Sequence, residues 1–396
     1  MKKTLLTICL TWMCFSLSAQ KIIDLSGKWS FSIDRQDNGE KEKWFSHTLN
    51  DCINLPGSMP EKLKGDEVTA KTQWTGSLYD SSYYYNPYME KYRKEGNIKF
   101  PFFLTPDKHY VGAAWYQKEV NIPADWKGER ILLFLERPHI ETTVWVNGQK
   151  TGMQNSLCVP HQYDITRYVR PGKCTITIRV DNRIKEINVG PDSHSITDQT
   201  QGNWNGIVGR ICLQTTPKTY FDDIQIYPEP EQKLARVKVV IKGAGITKIK
   251  LSAESFNTDK KHIVPAIQQE IKLNKGVTET EMILPMGNDM LLWDEFHPAL
   301  YKLKAEVTNG KKTEIKEIQF GMRRFEIKGK WFYVNGRKTQ LRGTVENCDF
   351  PLTGYAPMDV ESWERVFRIC RSYGLNHMRF HSFCPVSYTH LRAHET

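Results

Sequence analysis

The stretch from Gln340 to Pro385, QLRGTVENCDFPLTGYAPMDVESWERVFRICRSYGLNHMRFHSFCP, constrains this chain more than any other. It reads as strand, long loop, helix, strand. TQLRGTV is a short run with β-branched residues, and DVESWERVFRICRSYG is a helix marked at both ends. Asp359 is a good N-cap, Glu361 suits the positive end of the helix dipole, and Gly374 follows the last turn. Trp363, Val366, Phe367 and Cys370 fall at i, i+3, i+4 and i+7, which gives one apolar face to lay on a sheet. LNHMRFHS reads as a second strand. Two strands joined through a helix run parallel, with a right-handed crossover expected. A single βαβ unit cannot cover its own strands, so this one calls for further repeats.

Everything before it reads as β. From Lys21 to about Thr216, IDLSGKWSFSID alternates around Trp29 and Phe31, and GAAWYQKEVNI brings Trp115 and Tyr116. TTVWVNGQKTG carries Asn147-Gly148, a strong hairpin signal, and CTITIRVDN sets Ile176, Ile178 and Val180 against polar partners. Many short strands separated by Gly, Pro and Asn predict a two-sheet sandwich or jelly roll. Residues 78–110, Tyr-rich and polar, read as a long surface loop, either functional or simply packed. From about Tyr220 to Met322, strands recur at a spacing that suits an immunoglobulin-like sandwich, with LLWDEFHPALYKL between two of them. GKWFYVNGRK is a hairpin turned on Asn335-Gly336.

Length and composition bound the rest. A chain of 396 residues holds two or three domains, and 39% apolar with eleven Trp suits folded domains rather than disorder. The net charge of +10 is spread without a dense block. It reads either as a surface for an acidic polysaccharide or nucleic acid, or as ordinary solvated surface. No zinc spacing, Gly-rich phosphate loop or RNA-binding aromatic pattern supports nucleic acid. MKKTLLTICLTWMCFSLSAQ has a Lys2-Lys3 n-region, an apolar core and a small-residue exit at Ser18-Ala19, which predicts a signal peptide over residues 1–19. A lipoprotein site at Cys14 is disfavoured by Trp12 and Met13. No later stretch reaches the roughly 18 apolar residues of a spanning helix, so no membrane insertion is expected after cleavage. The expected location is periplasmic or secreted in a bacterium. Of nine cysteines, the seven beyond the expected signal peptide are scattered without CxxC spacing, which favours buried free thiols over disulfides.

LSGKWSF, AAWYQKEV, TTVWVNGQKTG, ITIRVDN, GNWNGIVGRICL, LWDEFHPALYKL, FGMRRFEIKGKWFYVNGRKTQLRG and GLNHMRFHSFCP, in this order, resemble glycoside hydrolase family 2, which includes β-galactosidases, β-glucuronidases and β-mannosidases. The resemblance spans Leu25 to Pro385. It implies a jelly-roll sugar-binding domain over 20–217, an immunoglobulin-like sandwich over 218–322 and the first βαβ unit of a (β/α)8 barrel over 323–385. It also implies an exo-acting, retaining hydrolysis of β-linked sugars by two glutamates about 5 to 5.5 Å apart. Both would lie beyond Pro385, so no catalytic residue is assigned here, and neither Glu346 nor Asp349 is put in their place.

The same resemblance points to saccharide-binding positions. Arg379 matches the arginine that sits against the nucleophile, with a barrel-interior ion pair as the structural alternative. His381 resembles a sugar-contacting histidine, although RFHSFCP is one residue longer than the family pattern. Arg342 of LRG matches the family motif, and either builds the barrel end or serves the site. Glu346 and Asn347 end the first strand, on the face where barrel sites lie. In the jelly roll, Trp204 offers a face to a pyranose or else packs as core, and Asp198 or Asn203 could bond hydroxyls. TVENCDFP replaces the family's His-containing sequence after RG, which argues against the best-known galactosidase specificity. His377 and His381 share a strand face about 13 Å apart, too far to bind one metal. No metal or cofactor is expected, and the expected partner is an oligo- or polysaccharide, with oligomeric state unreadable. Residues 386–396, VSYTHLRAHET, resemble a translated sequencing-library adapter and are expected to be an artefact. The rival readings are a non-catalytic carbohydrate-binding β-sandwich protein and, more weakly, an adhesin.

Overall fold

The computed structural model describes residues 20–76, 80–185, 193–381 and 383. The expected signal peptide, Cys384 and the 386–396 tail lie outside the described residues. These fall into two compact units: Ile22–Thr216 with Leu292–Leu300 and the residues from Arg323 on, and Pro217–Leu291 with Tyr301–Met322. Leu292–Leu300, which the sequence places between sandwich strands, thus groups with the first unit.

That unit contains a two-sheet sandwich. One sheet runs β1 (Ile22–Asp24), β13 (Gly206–Thr216), β8 (Arg130–His139), β11 (His161–Asp164), with β4 (Gly57–Ser58) also on β13. The other runs β10 (Gln149–Asn155), β9 (Glu141–Val146), β12 (Gly172–Asp181), β7 (Ala113–Ile122), β2 (Gly27–Asp34), β3 (Asp51–Leu55). Alternation puts Trp29, Phe31, Tyr116, Val144, Ile178 and Leu133 into one core between the sheets. All six residues of β9 are buried, because Trp145 faces outward into a second cluster with Trp115 and Leu49, covered by Trp44 and Phe45. Stacking of Phe45 on Trp145 at 5.2 Å closes that outer face.

Of the 78–110 stretch, the described residues 80–110 form a packed insertion rather than an open loop. One turn of helix, α1 (Ser82–Tyr85), and a 3-10 helix (Pro87–Tyr92) lead to β6 (Lys108–His109), which pairs with β5 (Asp66–Glu67). Tyr83 is fully buried and stacks on Phe100, while Trp74 packs against Phe100, Phe103 and His109. High tyrosine content served a satellite core here, which a polarity count could not distinguish from a surface loop.

The second unit is built on a long hairpin, β15 (Leu234–Ser255) with β16 (Ile263–Pro285). β14 (Tyr220–Glu229) pairs with the first half of β15, and β17 (Tyr301–Asn309), followed by β18 (Lys312–Phe320), with its second half. The register shifts between Gly243 and Gly245, both at positive φ. A bulge of this kind bends a strand, and Val237, Val239, Ile249 and Leu251 from the two halves then share one core with Leu303 of β17.

In the first unit, β19 (Phe325–Lys328), β20 (Trp331–Val334) and β21 (Arg337–Thr339) form a three-stranded meander. β22 (Gly343–Glu346), α2 (Val360–Ser372) and β23 (His377–Phe380) follow, and β22 and β23 are parallel as expected. Asp359 caps α2 by accepting from Ser362 N at 2.7 Å. Trp363 and Phe367 are buried, and Phe380 packs edge-on to Trp363 at 5.5 Å.

Candidate functional site

The site begins with the pleat of β22 and β23. Register pairs Gly343 with His377, Val345 with Arg379 and Glu346 with Phe380. Phe380 turns toward α2, so the alternate residues Val345, His377 and Arg379 project to the opposite face, and all three are exposed. Among the described residues the Arg379 guanidinium has no carboxylate partner, so it stands on an open face.

Glu346 carries the phase of Phe380. Its carboxylate accepts from Cys348 N at 2.9 Å, closing its own loop, while its carbonyl accepts from His381 N at 2.8 Å. The sequence allows Glu346 either a sugar-binding or a supporting role, and here its side chain bonds within its own strand end. Beyond it the jelly roll supplies the opposite wall. Gln201 donates from Nε2 to the carbonyl of Asn347 at 2.9 Å and to that of His381 at 2.6 Å. His194 stacks on His381 with ring centres 4.9 Å apart. His194, Gln199, Thr200, Gln201, Asn347, Asp349 and His381 line a polar hollow of about 280 Å³, open to solvent. Its amides, imidazoles and one carboxylate are hydroxyl-binding groups, and it lies at the C-terminal ends of parallel strands, where loops are free to carry function.

A second, narrower cleft of about 80 Å³ lies on the other side of Gln201. Trp204 lines it, only 8% exposed, stacked on His139 at 4.6 Å and tilted against Tyr355 at 5.6 Å. It is a packed wall, not an open platform. Gly354 lies against it with φ 81°, and a Cβ there would stand 2.6 Å from Trp204 Cδ1. The Tyr355 hydroxyl donates to Glu61 at 2.7 Å, and Ser58 Oγ donates to the carbonyl of Thr353. Burial pushes the His139 imidazole down to about 4 and the Cys348 thiol up to about 12. Burial, then the Glu61 carboxylate, raises the Tyr355 phenol. These groups stay neutral near pH 7, as a wall requires.

The remaining expected residues lie elsewhere. Arg342 precedes β22 at the opposite end of the strands. Its Nε donates to the carbonyl of Gly374 at 2.7 Å, and it pairs with Glu295 at 3.4 Å, in a clamp with Asn376. Four strand residues span about 13 Å, so Arg342 is not at the hollow. Asp198 and Asn203 are buried beneath it, 1% and 4% exposed, and the Asp198 carboxylate accepts backbone N–H groups from Thr75 and Asn203. Of the eight candidates the structure joins Asn347 and His381 across one hollow, with Glu346 supporting them. Sequence reasoning passed over His194, Gln199 and Gln201. Their one signal was position, in the same stretch as Asp198 and Trp204.

Among the described residues no group of three or more His, Cys, Asp or Glu side chains is arranged for a metal ion. Cys174, Cys212 and Cys348 are buried thiols, whereas Cys52 and Cys158 are exposed ones.

Comparison with known proteins gives the following. The family model described as "Glycosyl hydrolases family 2, sugar binding domain" matches residues 22–217, and "Glycosyl hydrolases family 2" matches 219–323. A β-galactosidase of Thermoanaerobacter pseudethanolicus is 25% identical over 72% of this chain and 38% of its own. A β-glucuronidase of Paenibacillus borealis is 23% identical over 85% of this chain and 51% of its own. The solved β-glucuronidase of Ruminococcus gnavus superposes with a TM-score of 0.68 at 19% identity, over 95% of this chain and 57% of that one. The chain thus spans about half the length, or less, of the curated relatives it matches.

Proposed function

Because this chain belongs to glycoside hydrolase family 2, we propose that it is the sugar-binding portion, with the first βαβ unit of the catalytic barrel, of an exo-acting glycosidase that cleaves β-linked sugars with retention. The observation that carries this is the polar hollow at the C-terminal ends of β22 and β23, joined to the jelly roll by the two hydrogen bonds of Gln201. In this reading Asn347, His381 and His194 bind hydroxyls of a terminal sugar, and Arg379 points into the barrel toward the nucleophile. The two catalytic carboxylates belong to barrel strands outside residues 1–396, so these residues bind and orient while the acid, base and nucleophile come from elsewhere.

The test is release of p-nitrophenol from a panel of aryl β-glycosides that includes the glucuronide and the galactoside. The 396-residue chain is expected to release none above buffer, and a polypeptide continued through the whole barrel is expected to turn over at least one. Turnover by the 396-residue chain would overturn the placement of the carboxylates. Retention of glycans without turnover by the continued polypeptide would favour a carbohydrate-binding protein instead. The Lys2-Lys3, apolar core and Ala19 exit support export to the periplasm or beyond. Mass spectrometry of the protein made in a bacterial host is expected to find a mature N-terminus at about residue 20, and an intact Met1 in the exported fraction would refute it.

A further inference from the structure

Asp198 holds more of the chain together than its place in a loop suggests. Its carboxylate is 1% exposed and touches two segments at once. Oδ1 accepts from Asn203 N at 2.7 Å, and Oδ2 accepts from Thr75 N at 2.6 Å and lies 3.3 Å from His109 Nε2. Its backbone joins the same segments, N donating to the carbonyl of Thr75 and O accepting from Leu104 N. Asn203 Nδ2 completes the seam by donating to Thr75 Oγ1 at 2.9 Å. Leu104 and His109 belong to the aromatic insertion and Thr75 lies just before it, next to Trp74, which packs on His109 at 4.8 Å. Residues 198–203 belong to the turn, closed on the carbonyl of Thr197, that presents Gln199, Thr200 and Gln201 to the hollow.

We propose that Asp198 is a positioning residue: through it Thr75, Leu104 and His109 fix the turn that places Gln201 across Asn347 and His381, and so set the shape of the saccharide hollow. The assignment to a saccharide rests on the proposed function, but the mechanical coupling does not. A buried carboxylate that accepts several N–H groups locks their geometry, since each donor would otherwise be stranded away from water. Any ligand contact by this carboxylate would first have to break those bonds. Asp198 therefore acts through Gln201 and not on the sugar.

The variant Asp198→Asn keeps the volume but turns an amide N–H₂ either toward Asn203 N or toward Thr75 N and His109. In hydrogen exchange on the 396-residue chain, the amides of Thr75, Asn203 and Cys348 are expected to exchange about tenfold faster or more, with the β7 and β12 amides unchanged. Gln201→Ala is expected to release Cys348 and His381 while leaving Thr75 and Asn203 protected, which fixes the order of coupling. In the polypeptide continued through the barrel, Asp198→Asn is expected to raise KM for an aryl β-glycoside about tenfold with kcat within about twofold. Unchanged protection at Cys348 in Asp198→Asn, or faster exchange spread evenly over the sandwich, would overturn the proposal. If the continued wild-type polypeptide shows no turnover, the glycosidase reading fails, while the exchange pattern still decides the role of Asp198.

Discussion

His139 shows how one buried ring ties the wall of the site to pH. Burial lowers its pKa from 6.5 to about 4, against weaker opposing contributions from Asn203 and Asp198. Between those values the unfolded chain binds a proton that the folded protein refuses, so stability falls as pH drops from about 6.5 to 4 and levels off below. His161, also pushed down to about 4 by burial, contributes with the same sign. The variant His139→Phe keeps a ring against Trp204 and removes the titration. Its melting temperature is expected to fall about half as steeply as the wild type's over this window, and an equally steep fall would exclude His139 as a source. Arg379 and Glu346 carry the residue-scale lesson about legibility. Both were named from the sequence, but only the phase of the pleat, set by Phe380 against Trp363, sends one to the open face and turns the other back on Cys348 N.

Among the elements, α2 was the most legible. Its N-cap, its apolar face and its terminating Gly374 lie within one to four residues of the groups they serve, and local sequence encodes such contacts directly. Asp359 accepts from both Ser362 N and Ser362 Oγ. Asp359→Ala is expected to cost about 1 kcal/mol in urea unfolding of the first unit. A change under about 0.3 kcal/mol would mean that packing of Trp363 and Phe367 fixes the helix start without the cap. The insertion was the least legible element. YDSSYYYNPYMEKYRKEG has neither a 2-residue nor a 3.6-residue period, and Tyr83 is buried against Phe100 and Phe102, which arrive from outside it.

At the scale of the whole molecule, the alternation of apolar residues was enough to specify two β-sandwich domains and a parallel βαβ unit. Burial of one face with a fixed period is a local property of a strand or helix, and the structure has those elements in that order. The joining of the site was not in any such pattern. Gln201 meets Asn347 and His381 across 146 and 180 residues of chain, and Tyr355 meets Glu61 across 294. Arg342 and His381, only 39 positions apart, end at opposite ends of the same two strands. Outside the insertion, sequence by itself determined which segments become strands and helix, because period and capping act over a turn or a pleat. Only the tertiary structure decided which polar side chains share a hollow and which are consumed in holding it, because that depends on loops brought together by cores far from them in sequence.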